Sequence, residues 1–210
     1  MDYPDFELNE GDEILSRDIV PQAKPSRLQS VARRLALQAL YEIDSVKHPP
    51  EEVLSRFISA DGQSVSSAFS EYILDDERAL PVNLPDYVEA AGTNDHPEQT
   101  ALVYFRQLVL GVTDFIPQID KVLHAVAPDF PLHQMAVVDR NTLRIALYEI
   151  GILADEVPIS VVIDEAVELA KAFGSDSSSR FVNGVLGTIS ENLDVVQKIF
   201  NTHPSRSPQK

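Results

Sequence analysis

The sequence predicts an all-α fold, on three observations. Apolar residues recur at i, i+3, i+4 and i+7 through most of the chain. No segment alternates apolar and polar residues between hairpin turns, and the one β-rich run, "VPISVVI", passes into helical spacing downstream. Prolines and glycines fall where helices begin and end, as at Pro158 and Gly174.

Residues 1–25 carry Asp2, Asp5, Glu7, Glu10, Asp12, Glu13 and Asp18 with no sustained apolar period, and read as an acidic disordered arm. From Ser26, a candidate cap, Leu28, Val31, Ala32, Leu35, Ala36, Ala39, Leu40 and Ile43 form the stripe of an amphipathic helix that ends before "HPP". Short helices are expected over Glu51 to Ser59 and about Ser64 to Leu74. Residues 75–98 hold prolines and many acids and read as an irregular acidic insertion.

Helical spacing resumes at Pro97 or Glu98 and runs to about Val126, with Pro117 expected to kink or divide it. A helix from about Leu132 to Ile152 shows Leu143, Ala146, Leu147 and Ile150 on one stripe. Pro158 opens a helix that turns Ile159, Val162, Ile163, Ala166, Leu169, Ala170 and Phe173 inward, and Gly174 closes it. The last helix, about Ser177 to Phe200, buries Val182, Leu186, Ile189, Leu193, Val196 and Phe200. The domain thus spans residues 26–200, and residues 201–210 read as a disordered tail.

The charge balance narrows the function. With 17 Lys+Arg against 33 Asp+Glu, a net charge of -16, the chain is repelled by phosphate backbones at long range, so any nucleic-acid contact must be local or shared with a basic partner. Cysteine is absent, which excludes disulfides and thiolate metal sites. The N-terminus lacks the basic and apolar segments of a signal peptide, and no apolar stretch is long enough to span a bilayer, so a soluble cytoplasmic protein is expected.

Catalytic and metal patterns are missing from the sequence. The five histidines are scattered, with no Glu-x-x-His or His-x-x-x-His pair, and no phosphate-binding glycine loop or nucleophile elbow occurs. Asp164 and Glu168 share a helix face but read as solvated surface. Neither an enzyme nor a bound cofactor or metal is expected.

Two polar surfaces stand out. On the first long helix Arg33, Arg34, Leu37, Gln38 and Tyr41 lie away from the main stripe, either as a grip for phosphate and base or as a solvated face touching other helices. In "SSSRFVNGVLG" the serines offer cap oxygens and Arg180 shares a face with Gly184 and Gly187, two glycines that would admit a neighbouring backbone. Phe181 falls at the edge of the core, and the pattern leaves open whether it is a boundary residue or a contact.

The blocks "ARRLALQALYEID", "VYFRQLVLGV", "VDRNTLRIALYEI" and "VPISVVIDEAVELAKAFGSDSSSRFVNGVLGTI" resemble, in order and spacing, the signatures of the NusB family of transcription antitermination factors. The resemblance implies a helical domain of two packed subbundles, about seven helices in all. It also implies partners: the small-subunit ribosomal protein that serves as NusE, boxA-type leader RNA, and the RNA polymerase antitermination complex, in support of ribosomal RNA transcription. Carried over by position, it places Arg33 on RNA phosphate, Arg180 and Phe181 at a basic-aromatic RNA grip with Ser177 beside them, and Tyr41 and Asp139 near the NusE-facing surface. Asn183 and Gly184 become ties between the last helix and its neighbours. Gln29, Ser30 and Val31 stand where the family usually has further arginines. Two other readings stay open: a protein-binding or self-associating module, including a homodimer, with weakened RNA recognition, and a detached accessory domain of a ribosomal RNA cytosine methyltransferase.

Overall fold

A computed structural model describes residues 27–58, 97–128 and 130–201. The arm at 1–25, the helix expected near 64–74, nearly all of the 75–98 insertion and all but the first residue of the 201–210 tail lie outside the described residues. The described chain forms α1 (Arg27–Val46), α2 (Pro50–Phe57), α3 (Pro97–Val126), a 3-10 turn (Leu132–Gln134), α4 (Val137–Ile152), α5 (Ile159–Phe173), α6 (Ser178–Glu191) and α7 (Leu193–Phe200). No described residue lies in a β-strand.

α1 packs lengthwise on α3 and α4, with α2 folded against its end, and α5, α6 and α7 close over the other side of α4. α4 therefore touches both groups of helices and lies between them. A helix with neighbours on every side must be buried all round. In α4 every residue from Asn141 to Ile150 is buried, not only the expected stripe, and in α1 the burial of Ala32, Leu35, Ala36, Ala39 and Leu40 extends to Leu37.

α3 runs unbroken through Pro117, contrary to a divided helix. A proline removes one ladder bond; here Val112, Ile119, Val122 and Leu123 are fully buried on both sides of it, so packing holds the helix across the gap. Gly111 in α3 is a steric necessity, because a Cβ there would sit 2.1 Å from the Tyr148 ring.

Two expected boundaries move. The segment before α4 is the 3-10 turn followed by extended backbone at Met135, so α4 begins at Val137 instead of Leu132. The last helix is divided at Asn192, and the change of direction leaves Leu193 exposed where a continuous helix would have buried it.

The arginines drawn in around α4 are paired, although the buried Thr142 hydroxyl and one Asp139 carboxylate oxygen on the same helix have no hydrogen-bond partner among the described residues. Arg144 donates to Asp120 at 2.9 Å through both Nε and Nη2, and reaches Asp44 at 3.1 Å. Arg140 donates to Asp44 at 2.8 Å and to the Leu132 carbonyl at 2.7 Å, which fastens the 3-10 turn to α1. Burial pushes the Asp44 carboxyl up, but the hydrogen bonds from Arg140 and Lys47 and the charges of Arg144 and Arg140 outweigh it and hold Asp44 below the usual carboxylate range.

Candidate RNA and partner surface

The start of α6 is built from its serines, though not as expected. Ser177 makes no capping hydrogen bond and is exposed. Ser178 is the working residue: buried, its Oγ accepts the Ser175 N–H at 2.9 Å, the reach-back half of a capping box. Gly174 permits that closure, since a Cβ there would lie 2.4 Å from Ser178 Cβ.

One turn further, Val182, Leu186 and Ile189 are fully buried, as their spacing predicts. That anchoring fixes what faces outward. Arg180 is exposed and forms no ion pair with any described residue. Phe181 is partly buried against the core, and its ring meets Phe130 edge to face at 5.1 Å with 66° between planes. Phe130 is 49% exposed. Asn183 and Gly184 are exposed, and a Cβ added at Gly184 or Gly187 would meet nothing within 4 Å. The expected ties to neighbouring helices are therefore corrected: among the described residues no helix approaches these glycines, and Asn183 points to solvent.

Arg33 is corrected as well. It is 1% exposed and ranks among the largest fully buried side chains. Its Nη2 donates to Glu149 Oε1 at 2.7 Å and its Nε to both Glu149 oxygens at 3.0 and 3.1 Å, while Nη1 reaches Glu165 at 3.2 Å. Tyr104 donates to Glu149 and lies under the guanidinium, 5.6 Å from centroid to Cζ. Burial opposes the charge of Arg33, but the charge and hydrogen bonds of Glu149, with Tyr104 and Glu165, outweigh it and raise its pKa. Burial, and then the Glu149 charge, push the Tyr104 phenol up, so it stays a neutral donor. All three guanidinium nitrogens of Arg33 donate to groups inside the protein. No phosphate can reach it without unpacking α1 from α4.

Of the two partner-surface candidates, Tyr41 is 49% exposed on α1 and Asp139 only 8% exposed. Asp139 sits in the first turn of α4, where a carboxylate suits the positive end of the helix dipole, and is not displayed as an acidic surface. On α1, Arg34 and Gln38 are partly buried beside Tyr41. The structure thus brings Arg180, Phe181 and Ser177 together at the start of α6, leaves Tyr41 on α1, and withdraws Arg33 and Asp139 into the interior.

Phe130 escaped the sequence reading because it stands in "APDFPLH", a linker without periodicity. The available signal was an aromatic close to two prolines, which stiffen the linker around it. Glu149 was legible only as an acid inside the apolar run "RIALYEIGIL".

Comparison with known proteins places the chain. The model of the NusB family matches residues 76–191. The transcription antitermination protein NusB of Roseiflexus castenholzii is 37% identical over 163 residues, covering 77% of this chain and 91% of the relative. That of Chloroflexus aggregans is 38% identical over 169 residues, covering 78% and 89%. In fold, the chain is similar to a solved structure of the antitermination factors NusB and NusE in complex with double-stranded RNA, with a TM-score of 0.53, 22% identity, and coverage of 79% of this chain and 98% of that one. On the sequence matches, supported by the shared helical fold, this chain belongs to the NusB family, to which these transcription antitermination proteins also belong.

Proposed function

We propose that this protein is a cytoplasmic transcription antitermination factor that binds boxA-type leader RNA jointly with NusE and enters the RNA polymerase antitermination complex. The observation that carries the RNA half is the exposed Arg180 beside Phe181 at the start of α6, a cation next to an aromatic ring on a rigid helix. Tyr41, exposed on α1, supports a separate partner contact. Because the net charge is -16 and Arg33 is spent inside, the isolated protein binds RNA weakly, and a basic ribosomal protein supplies the missing attraction. A boxA titration with and without NusE tests this: affinity rises when NusE is present, and equal affinity in both conditions defeats the joint-binding reading.

A second reading is favoured by the burial of Arg33, which thins an already sparse basic surface: a module that binds proteins, or itself as a homodimer, with RNA recognition lost. Co-purification with NusE but without RNA, or a dimer in sedimentation, would select it.

A further inference from the structure

Phe130 poses a question that Phe181 does not. Phe181 is partly covered by core and helix, whereas Phe130 leaves 49% of its surface in water although its segment is well anchored. Its N–H donates to the Ala127 carbonyl at 3.1 Å, and Pro131 immediately after it caps the 3-10 turn whose Leu132 carbonyl is held by Arg140. A half-exposed ring set edge to face against Phe181 is oriented for a contact.

The surroundings indicate what kind. The other exposed large apolar side chains belong to other elements: Tyr41 and Val46 to α1, Val103 to α3, Ile152 to the end of α4 and Leu193 to the start of α7. Among the described residues, the segment between α3 and the 3-10 turn therefore presents one large exposed apolar side chain, the ring of Phe130. Next to its ring partner stands Arg180, an exposed cation with no ion pair among the described residues. One flat apolar surface with one adjacent cation matches one base and its phosphate.

We propose that Phe130 is a second stacking residue of the RNA site: an unpaired nucleobase lies on its exposed face, while Phe181 buttresses the ring edge to face from behind. This rests on the RNA reading of Arg180 and Phe181. It divides the labour, with Phe130 supplying most of the accessible ring surface and Arg180 the charge.

The test is a fluorescence anisotropy titration of the full chain with NusE, using a labelled single-stranded boxA RNA across a salt series, for wild type, F130A, F130L, F130Y and R180A. A second RNA set carries 2-aminopurine at successive positions to report stacking. F130A weakens binding by roughly 5- to 150-fold, the range for one base-aromatic stack, without changing the salt slope. F130Y stays within about twofold of wild type and quenches 2-aminopurine at one position, while F130L restores neither affinity nor quenching. A duplex of the same sequence responds little to F130A, because its bases are already stacked. Should F130A unfold, the F130L and F130Y pair carries the comparison, since both keep a large apolar side chain. F130L binding like wild type, or F130A unchanged while R180A weakens binding, overturns the role of Phe130 and leaves the Arg180 site standing. No RNA binding by wild type with NusE present removes the site reading itself, and this proposal with it.

Discussion

Arg33 and Arg180 carry the same chemistry to opposite ends. Both lie on polar positions of amphipathic helices, and the sequence motifs lead to the expectation of RNA contact for both. Arg33 is inside, bonded to Glu149, Glu165 and Tyr104, and Arg180 is outside with no ion pair among the described residues. What separates them is the environment of the helix. α1 has α3 on one side and α4 on another, so part of the face away from its apolar stripe, at Arg33 and Leu37, is also interior while Tyr41 on that face stays exposed. α6 has packing on one side only at Arg180, and the opposite face stays in water. A helical periodicity identifies the most buried face; it does not say that the remaining faces are exposed.

The largest effect comes from breaking the interior side of this comparison. Removing Glu149 leaves the buried Arg33 charge with only the longer contact to Glu165, and truncating one partner of a buried pair typically destabilises by about 3–5 kcal/mol. E149A should therefore lower the urea midpoint steeply, or prevent folding. A double replacement by apolar residues of similar size, R33M with E149L, should recover much of that loss, because neither charge is then desolvated. If R33M with E149L unfolds as readily as E149A, the pair contributes more than its avoided desolvation, and the account of the cluster is wrong.

A second interior arginine pair gives an effect of intermediate size and a pH signature. The Asp44 carboxyl is held below its unfolded value by Arg140, Lys47 and Arg144. A depressed carboxylate contributes stability that is fully present above the unfolded pKa, near 4, and lost as pH falls through the folded one. Stability measured by urea unfolding should thus decline with acid below about pH 4 in wild type, and D44N should flatten that part of the curve while costing about 1–3 kcal/mol at neutral pH. The same acid slope in D44N and wild type would show that other carboxylates control it.

The fold was largely legible because apolar spacing is a property of single segments. The cores of α5 and α6, the stop at Gly174 and the all-helical class all follow from it. The errors fell where tertiary contacts override local pattern. Pro117 is carried by packing on both sides, Leu193 is turned outward by a break at Asn192, and Arg33 and Asp139 are drawn inward by neighbours distant in sequence. Glu149 is 116 residues from Arg33, and nothing in either local pattern names the other. Phe130 was missed for the converse reason: it belongs to no periodic element, so its meeting with Phe181 exists only in three dimensions.

On the outer side of the comparison, R180A should leave stability near wild type, since the side chain is exposed, yet reduce RNA binding in a salt-dependent way. Losing one phosphate contact to a single strand lowers the slope of log affinity against log salt by about 0.7. R33M with E149L, if folded, should leave that slope alone. An unchanged slope in R180A combined with a reduced one in the double variant would reverse the roles assigned to the two arginines.

The smallest effect is the most informative about why α6 looks poorly made. Gly184 and Gly187 each cost the helix roughly 1 kcal/mol relative to alanine, and in the described structure a Cβ at either meets nothing within 4 Å. Gly111 shows the contrast, where a Cβ would strike the Tyr148 ring at 2.1 Å. G111A should accordingly destabilise, whereas G184A and G187A should each stabilise by about 0.5–1 kcal/mol in urea unfolding. If they stabilise and RNA or NusE affinity is unchanged, the two glycines are tolerated, not required. If they stabilise while binding weakens, the bare backbone on the Arg180 face is itself part of the contact, because a gain in folding then accompanies a loss in recognition at the same atoms. A loss of stability instead would mean that something packs on that face, and the open surface described for α6 would have to be redrawn.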